Sequence, residues 1–106
     1  MSTRATYSFE NLEGLVTTIY KHHDGYPEGA AHHLFESHTA EKFLRKNVDS
    51  EITKSHEYHG DTEYRYKICR RREGTRLTVY KREWECGWKP YFHGDLDTFI
   101  GKYLKD

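Results

Sequence analysis

Ile19-Tyr20-Lys21-His22-His23-Asp24-Gly25-Tyr26-Pro27-Glu28-Gly29-Ala30 marks the place where this chain changes from strand to helix periodicity. Before it, Leu15 to Lys21 is rich in β-branched residues and apolar on both faces, the pattern of a more central strand. Within it, Asp24-Gly25 is a turn signal, and Pro27 suits the first turn of a helix, where its missing N–H has no bond to lose. Asp24 is expected to accept hydrogen bonds from free N–H groups at the helix start, and Gly25 to hold a backbone conformation that strains other residues. After it, Ala31, Leu34, Phe35 and His38 recur at helical spacing, followed by Ala40, Phe43 and Leu44. The spacing predicts one helix over about 27–46, kinked or broken near Ser37-His38-Thr39, with Thr39 capping a second segment.

Upstream, Thr3 to Glu10 alternates Ala5, Tyr7 and Phe9 against polar residues. This is the pattern of a half-buried strand, paired with 15–21 through the Asn11-Leu12-Glu13-Gly14 turn. Downstream, residues 48–61 are polar and without period, and read as a loop with room for one irregular turn. Thr62 to Ile68 sets Tyr64, Tyr66 and Ile68 against Glu63, Arg65 and Lys67. Residues 70–74 form a hairpin loop, and Arg76 to Trp84 is the partner strand. Trp88 to Phe92 makes a fifth strand, placed at an edge or bulge by Gly87 and Pro90. Asp95 caps a final helix whose stripe is Leu96, Phe99, Ile100, Tyr103 and Leu104. The order ββα-βββα predicts a single α+β domain over 1–106, a mainly antiparallel sheet of four to five strands with two helices on one face.

Composition supports a folded domain. Only 35% of the 106 residues are hydrophobic and 32% are charged, yet 15% are aromatic, so rings must supply much of the core. Net charge is zero but unevenly spread. Residues 1–61 hold 6 Lys/Arg against 10 Asp/Glu, and residues 62–93 hold 9 against 4. Such a split marks either a polarised surface or two halves that face each other. Cys69 and Cys86 are too few for a disulfide scaffold, though a bridge between neighbouring strands is open geometrically. No apolar run is long enough to span a membrane, and Met1 to Arg4 leads into a strand without a signal-peptide pattern. The expected location is cytoplasmic, with reduced thiols.

Three groups of residues carry the functional possibilities. The first is the turn motif His23, Asp24, Gly25, Tyr26 and Pro27, where Gly29 and Ala30 let a backbone or ligand come close. The second is the histidines, eight in all. His56-x-x-His59 supplies two metal ligands if its loop turns, and His22, Asp24 and His33 converge if the turn folds back. Neither matches the His-Glu-x-x-His spacing of metalloproteases, and the expectation is no metal and no cofactor. The third is the basic, aromatic hairpin, represented by Arg70, Arg71, Arg72, Arg76, Tyr80, Arg82, Trp84 and Trp88. Arginine, tryptophan and tyrosine are the residues most enriched at protein–protein hot spots. Cations beside rings also suit a nucleic-acid surface over 64–92, but Tyr64 and Tyr66 face away from Arg65 and Lys67 and read as core. Cys69, beside the arginines, is open to a lowered pKa. No nucleophile elbow, phosphate loop, dinucleotide fingerprint or Cys-x-x-Cys is present, so no enzyme activity is expected.

Ser2-Thr3-Arg4-Ala5-Thr6-Tyr7, followed by the His22 to Ala30 box, resembles the start of a group of small uncharacterised bacterial and bacteriophage proteins. The resemblance covers about the first third of the chain and brings no activity with it. It implies a phage or mobile-element origin, where small stand-alone domains bind and block host proteins. The expected function is therefore a non-enzymatic protein-binding module, a modulator of a host system of the anti-CRISPR or other counter-defence type, whose partner is a host or phage protein. A nucleic-acid-binding module is the alternative, and a histidine-rich metal-dependent enzyme the third reading.

Overall fold

The computed structural model describes residues 3–104. Ser2, which opens the Ser2 to Tyr7 signature, lies outside the described residues, as does Met1. The elements run β1 (Ala5–Glu10), β2 (Val16–Lys21), α1 (Pro27–Glu36), α2 (Ala40–Lys46), β3 (Ser50–Thr53), a 3-10 turn at His56–Tyr58, β4 (Tyr64–Arg71), β5 (Gly74–Glu83), β6 (Gly87–Asp95) and α3 (Leu96–Tyr103). The α+β class holds. The expected helix over 27–46 is two helices, broken at Ser37-His38, and the Thr39 side chain caps α2 by accepting from the Lys42 N–H at 3.3 Å.

The sheet differs from expectation in strand number and order. Among the described residues six strands form one sheet, in the order β3-β2-β1-β4-β5-β6. The segment 48–61, read as a loop, contains β3. Its Ile52 lies opposite Ile19 at the sheet edge yet is 65% exposed, so no buried stripe announces the strand. The pairing of β1 with β4 is parallel, while every other pairing is antiparallel. That seam puts β1 at the centre of the sheet. Even its polar Thr6 and Ser8 are buried, whereas β2 starts exposed, the reverse of the burial that the two sequences suggest. Edge strand β6 is longer than expected, and the pairing slips by one residue between Val79 and Tyr80, where Pro90 sits. A bulge at an edge is where a residue without an N–H is tolerated.

One face of the sheet carries the core. Tyr7 lies opposite Ile19 on one side and Tyr66 on the other, and Tyr66 lies opposite Val79. These side chains pack with Ala30, Ala31 and Leu34 of α1, Phe43 of α2 and Phe99 of α3. The Tyr7 ring stacks on Tyr66 at 4.8 Å and meets Phe43 at 4.6 Å, so rings do fill the centre. Burial pushes both phenols well above the usual tyrosine range, with nearby negative charge adding to it at Tyr7. At the sheet margin the buried Lys21 ammonium donates to both Asp49 oxygens, at 2.6 and 2.8 Å. Burial works to raise the Asp49 carboxyl, but the Lys21 hydrogen bond and charge outweigh it and hold the group below its ordinary range. No helix among the described residues is long and apolar enough to cross a membrane.

Candidate functional site

The turn motif is a packing device. Asp24 takes a positive φ of 56°, which a residue with a Cβ seldom adopts. Gly25 does not, so the strained conformation expected of Gly25 falls on Asp24. Gly25 is needed because the chain passes too close to β1 for a side chain: a Cβ there would sit 2.6 Å from Ala5 Cβ and 3.0 Å from the Thr3 carbonyl oxygen. Its N–H donates to Thr3 O at 2.9 Å, and Tyr66 Oη donates to its carbonyl at 2.6 Å. Asp24 is not the helix cap. Tyr26 holds that position without a side-chain bond, and Pro27 opens α1. The Asp24 carbonyl instead turns toward Gly29, where a Cβ would stand 2.3 Å from the oxygen. Asp95 does precede α3, but its carboxylate pairs with Arg76 at 3.1 Å rather than capping.

The histidines part company. His22 meets the Tyr20 ring edge-on at 4.6 Å and Glu51 at 3.8 Å. His33 lies edge-on to Phe43 instead, and burial together with the Lys21 charge pushes it down to about 4. His56 and His59 also diverge. The buried His56 turns Nδ1 onto Thr6 Oγ1 at 2.6 Å, while His59 stacks on Tyr20 at 3.7 Å. Among the described residues no three His, Cys, Asp or Glu side chains converge as metal ligands. Cys69 and Cys86 are free, the first in β4 and the second in the turn between β5 and β6. The Cys69 thiol is pushed up, by burial first and then by Glu10, which accepts its S–H at 3.4 Å. Arg71 works to lower it, by charge and by a hydrogen bond, but does not outweigh them.

Among the described residues no α-helix packs on the opposite face of the sheet, which the 3-10 turn alone partly covers. Register places Thr6, Arg65 and Tyr80 in one row across β1, β4 and β5, with Ser8, Lys67, Thr78 and His93 in the next. Arg82, two residues beyond Tyr80, lies opposite Trp88. The guanidinium of Arg65 stacks 4.0 Å from Trp88, and that of Arg82 lies 4.9 Å from Trp88 and 4.6 Å from Trp84. The result is a ladder: Arg65, Trp88, Arg82, Trp84. Each such contact is worth about 0.5–1 kcal/mol at an exposed site, so it takes the contacts together to offset the roughly 2 kcal/mol of rotamer freedom that an arginine gives up. Trp84 ends the ladder 68% exposed. Lys67 lies 5.3 Å from the Tyr80 ring beside it.

A strap formed by residues 55–61 crosses the β1–β2 side of this face and fixes the ladder's inner end. Besides the His56 and His59 contacts, Glu57 pairs with Arg65 at 3.8 Å, and the Gly60 carbonyl accepts from Arg82 at 2.6 Å. Asp61 takes the Tyr20 hydroxyl at 2.8–2.9 Å and pairs with Arg4 at 3.2 Å. Burial and the Asp61 hydrogen bond push the Tyr20 phenol up to about 12.

The structure thus brings together Tyr80, Arg82, Trp84 and Trp88, and places Arg76 farther along the same strand with Asp95. Arg70, Arg71 and Arg72 stand elsewhere. They lie at the β4–β5 tip beside Glu10–Gly14, at the other end of β5, whose ten residues span about 30 Å. The strap is the part of the site that the sequence reading missed. Its Ser55-His56-Glu57-Tyr58-His59 run, rich in rings for a supposed loop, is the signal that was available. Compared with protein families, curated proteins and solved structures, the chain shows no match to any of them.

Proposed function

We propose that this chain is a non-enzymatic binding module whose helix-free sheet face docks a partner protein that presents carboxylates. The observation that carries the reading is the ladder of Arg65, Trp88, Arg82 and Trp84, stacked and exposed at its end. Preordered aromatic and guanidinium groups lose little side-chain freedom on binding, and such groups dominate interface energetics. Lys67 and Arg82 add positive charge without a carboxylate partner among the described ion pairs. The same face also carries Glu57 against Arg65 and Asp95 against Arg76. Carboxylates interspersed among the cations repel a continuous phosphate backbone but can be matched by the mixed charges of a protein surface, which favours a protein over a nucleic acid. The resemblance of the first third of the chain to bacterial and bacteriophage proteins supports a host protein as partner, with the chain acting as a counter-defence modulator.

Trp84→Ala with Trp88→Ala is expected to weaken capture of a nuclease-resistant partner at least 30-fold, the loss of about 2 kcal/mol typical of a hot spot. Arg71→Glu with Arg72→Glu, at the far end of the sheet, should leave that capture unchanged. Retention of the partner by the folded tryptophan variant would remove this face from the account. A partner lost to nuclease, with affinity falling steeply as salt rises, would replace it with the nucleic-acid reading.

A further inference from the structure

The far end of the sheet, which holds the three arginines, is built for contact of its own. There the β1–β2 turn is pinned by Asn11: its side-chain oxygen accepts from the Glu13 and Leu15 N–H groups at 3.0 and 2.9 Å, and its own N–H donates to Leu15 O at 3.0 Å. This ordered turn nonetheless presents Leu12, Leu15 and Val16, which are 61%, 69% and 56% exposed. Large apolar side chains held out together on a hydrogen-bonded turn mark an interface rather than scattered surface. Beside the turn runs a groove of about 370 Å³, floored by Phe9 and Ile68 and edged by Glu10, Glu13 and Glu41, which outnumber the one arginine, Arg70, that also lines it. On its other flank stands the β4–β5 tip with Arg71 and Arg72. Among the described residues, none of these three carboxylates and neither arginine takes part in an ion pair.

An acidic groove and a basic tip side by side on one end are what a two-fold contact requires. The same patch must carry both halves, so that each copy gives its tip and receives the other's. We infer that this end of the sheet binds a second copy of the chain. The Arg71 and Arg72 tip of each protomer lies against Glu13 and Glu41 of the other, and the apolar turns meet at the axis. The contact leaves the ladder, which begins opposite Tyr80 about 20 Å along β5, available to its own partner. A dimer so built presents two such faces.

Sedimentation equilibrium from micromolar to near-millimolar protein tests this. The wild-type mass is expected to rise from 12.7 kDa toward twice that value, and higher salt should weaken the association. Arg71→Glu with Arg72→Glu, and separately Glu13→Arg with Glu41→Arg, should each weaken self-association at least tenfold. An equimolar mixture of the two variants should recover the doubled mass, because every swapped charge then meets its opposite. Wild type that keeps the single-chain mass throughout overturns the inference, and so does a mixture of two folded variants that stays monomeric. A foreign occupant of this end gives the first of those results. The mass measurement does not involve the ladder's partner, so failure here and failure of the tryptophan test are read independently.

Discussion

Gly29→Ala is expected to destabilise the protein by about 2–3 kcal/mol, the cost of forcing atoms into a filled space. Helix propensity alone has the opposite sign, since alanine is better than glycine inside a helix by about 1 kcal/mol. The collision decides the outcome: a Cβ on Gly29 would stand 2.3 Å from the Asp24 carbonyl oxygen, which is backbone and cannot swing aside. Moving Asp24 would pull on Gly25, which is tied to Thr3 and Tyr66 by hydrogen bonds and lies against Ala5. Gly101→Ala in α3 is the control. Nothing lies within 4 Å of its new methyl, and it should gain up to about 1 kcal/mol. Urea unfolding of the two variants beside wild type measures both signs. A Gly29→Ala protein as stable as wild type would show that the strand-to-helix turn is looser than its contacts state.

Acidification from pH 7 to pH 4 should remove on the order of 3 kcal/mol of stability, through His33 and His56 together. Both imidazoles have folded pKa values pushed from 6.5 to about 4. At His56 burial does most of this, the charges of Lys67 and Arg65 add to it, and Glu57 opposes. At His33 burial and Lys21 act together, His32 adds a little, and Asp24 and Asp49 oppose. A depressed folded pKa means that the unfolded chain takes up protons first. Stability is therefore full above about pH 6.5 and falls as the pH drops toward 4. The figure is about half of the full linkage value, because His33 is partly solvated and water screens it. Below that window, protonation of Asp49 removes its pairing with Lys21 and extends the loss. Denaturation at a series of pH values is the measurement. His56→Gln, which keeps a polar group near Thr6 without a titrating ring, should flatten the slope. Equal stability at pH 7 and pH 5 would contradict the burial of both rings.

The parts of the fold legible in the sequence were those whose burial leaves a local rhythm. Ala5, Tyr7 and Phe9, or Tyr64, Tyr66 and Ile68, alternate because one side of each strand enters the core. β3 has no such rhythm, because an edge strand with Ile52 in solvent buries almost nothing. The parallel pairing of β1 with β4 leaves no local trace at all, since it is a choice between strands more than fifty residues apart. The candidate site was legible in composition but not in extent. Arginines and rings within one hairpin read as a single patch, whereas a ten-residue strand divides them into a ladder at one end and a tip at the other. At the turn motif, Asp24-Gly25 announced a reversal. Which of the two residues takes the positive φ was settled by how closely Gly25 approaches Ala5, a contact between segments that sequence spacing does not encode.

The central place of the first strand also has a meaning in time. Ala5 lies opposite Tyr64, so during synthesis β1 emerges 59 residues before the strand that completes its hydrogen bonding. Its hairpin with β2, and the β4–β5–β6 meander, each close over short distances, on a scale of about 1–10 μs per hairpin. Joining them means closing the connection over residues 22–63, an entropic cost on the order of 3 kcal/mol that is met before any contact across the seam repays it. Until then, the chain carries two half-sheets, each with an open edge and part of the core face, Tyr7 on one and Tyr64 and Tyr66 on the other, in water. The slow event in folding is expected to be their meeting along β1 and β4, and a newly made chain is most exposed to aggregation while it waits for that second edge.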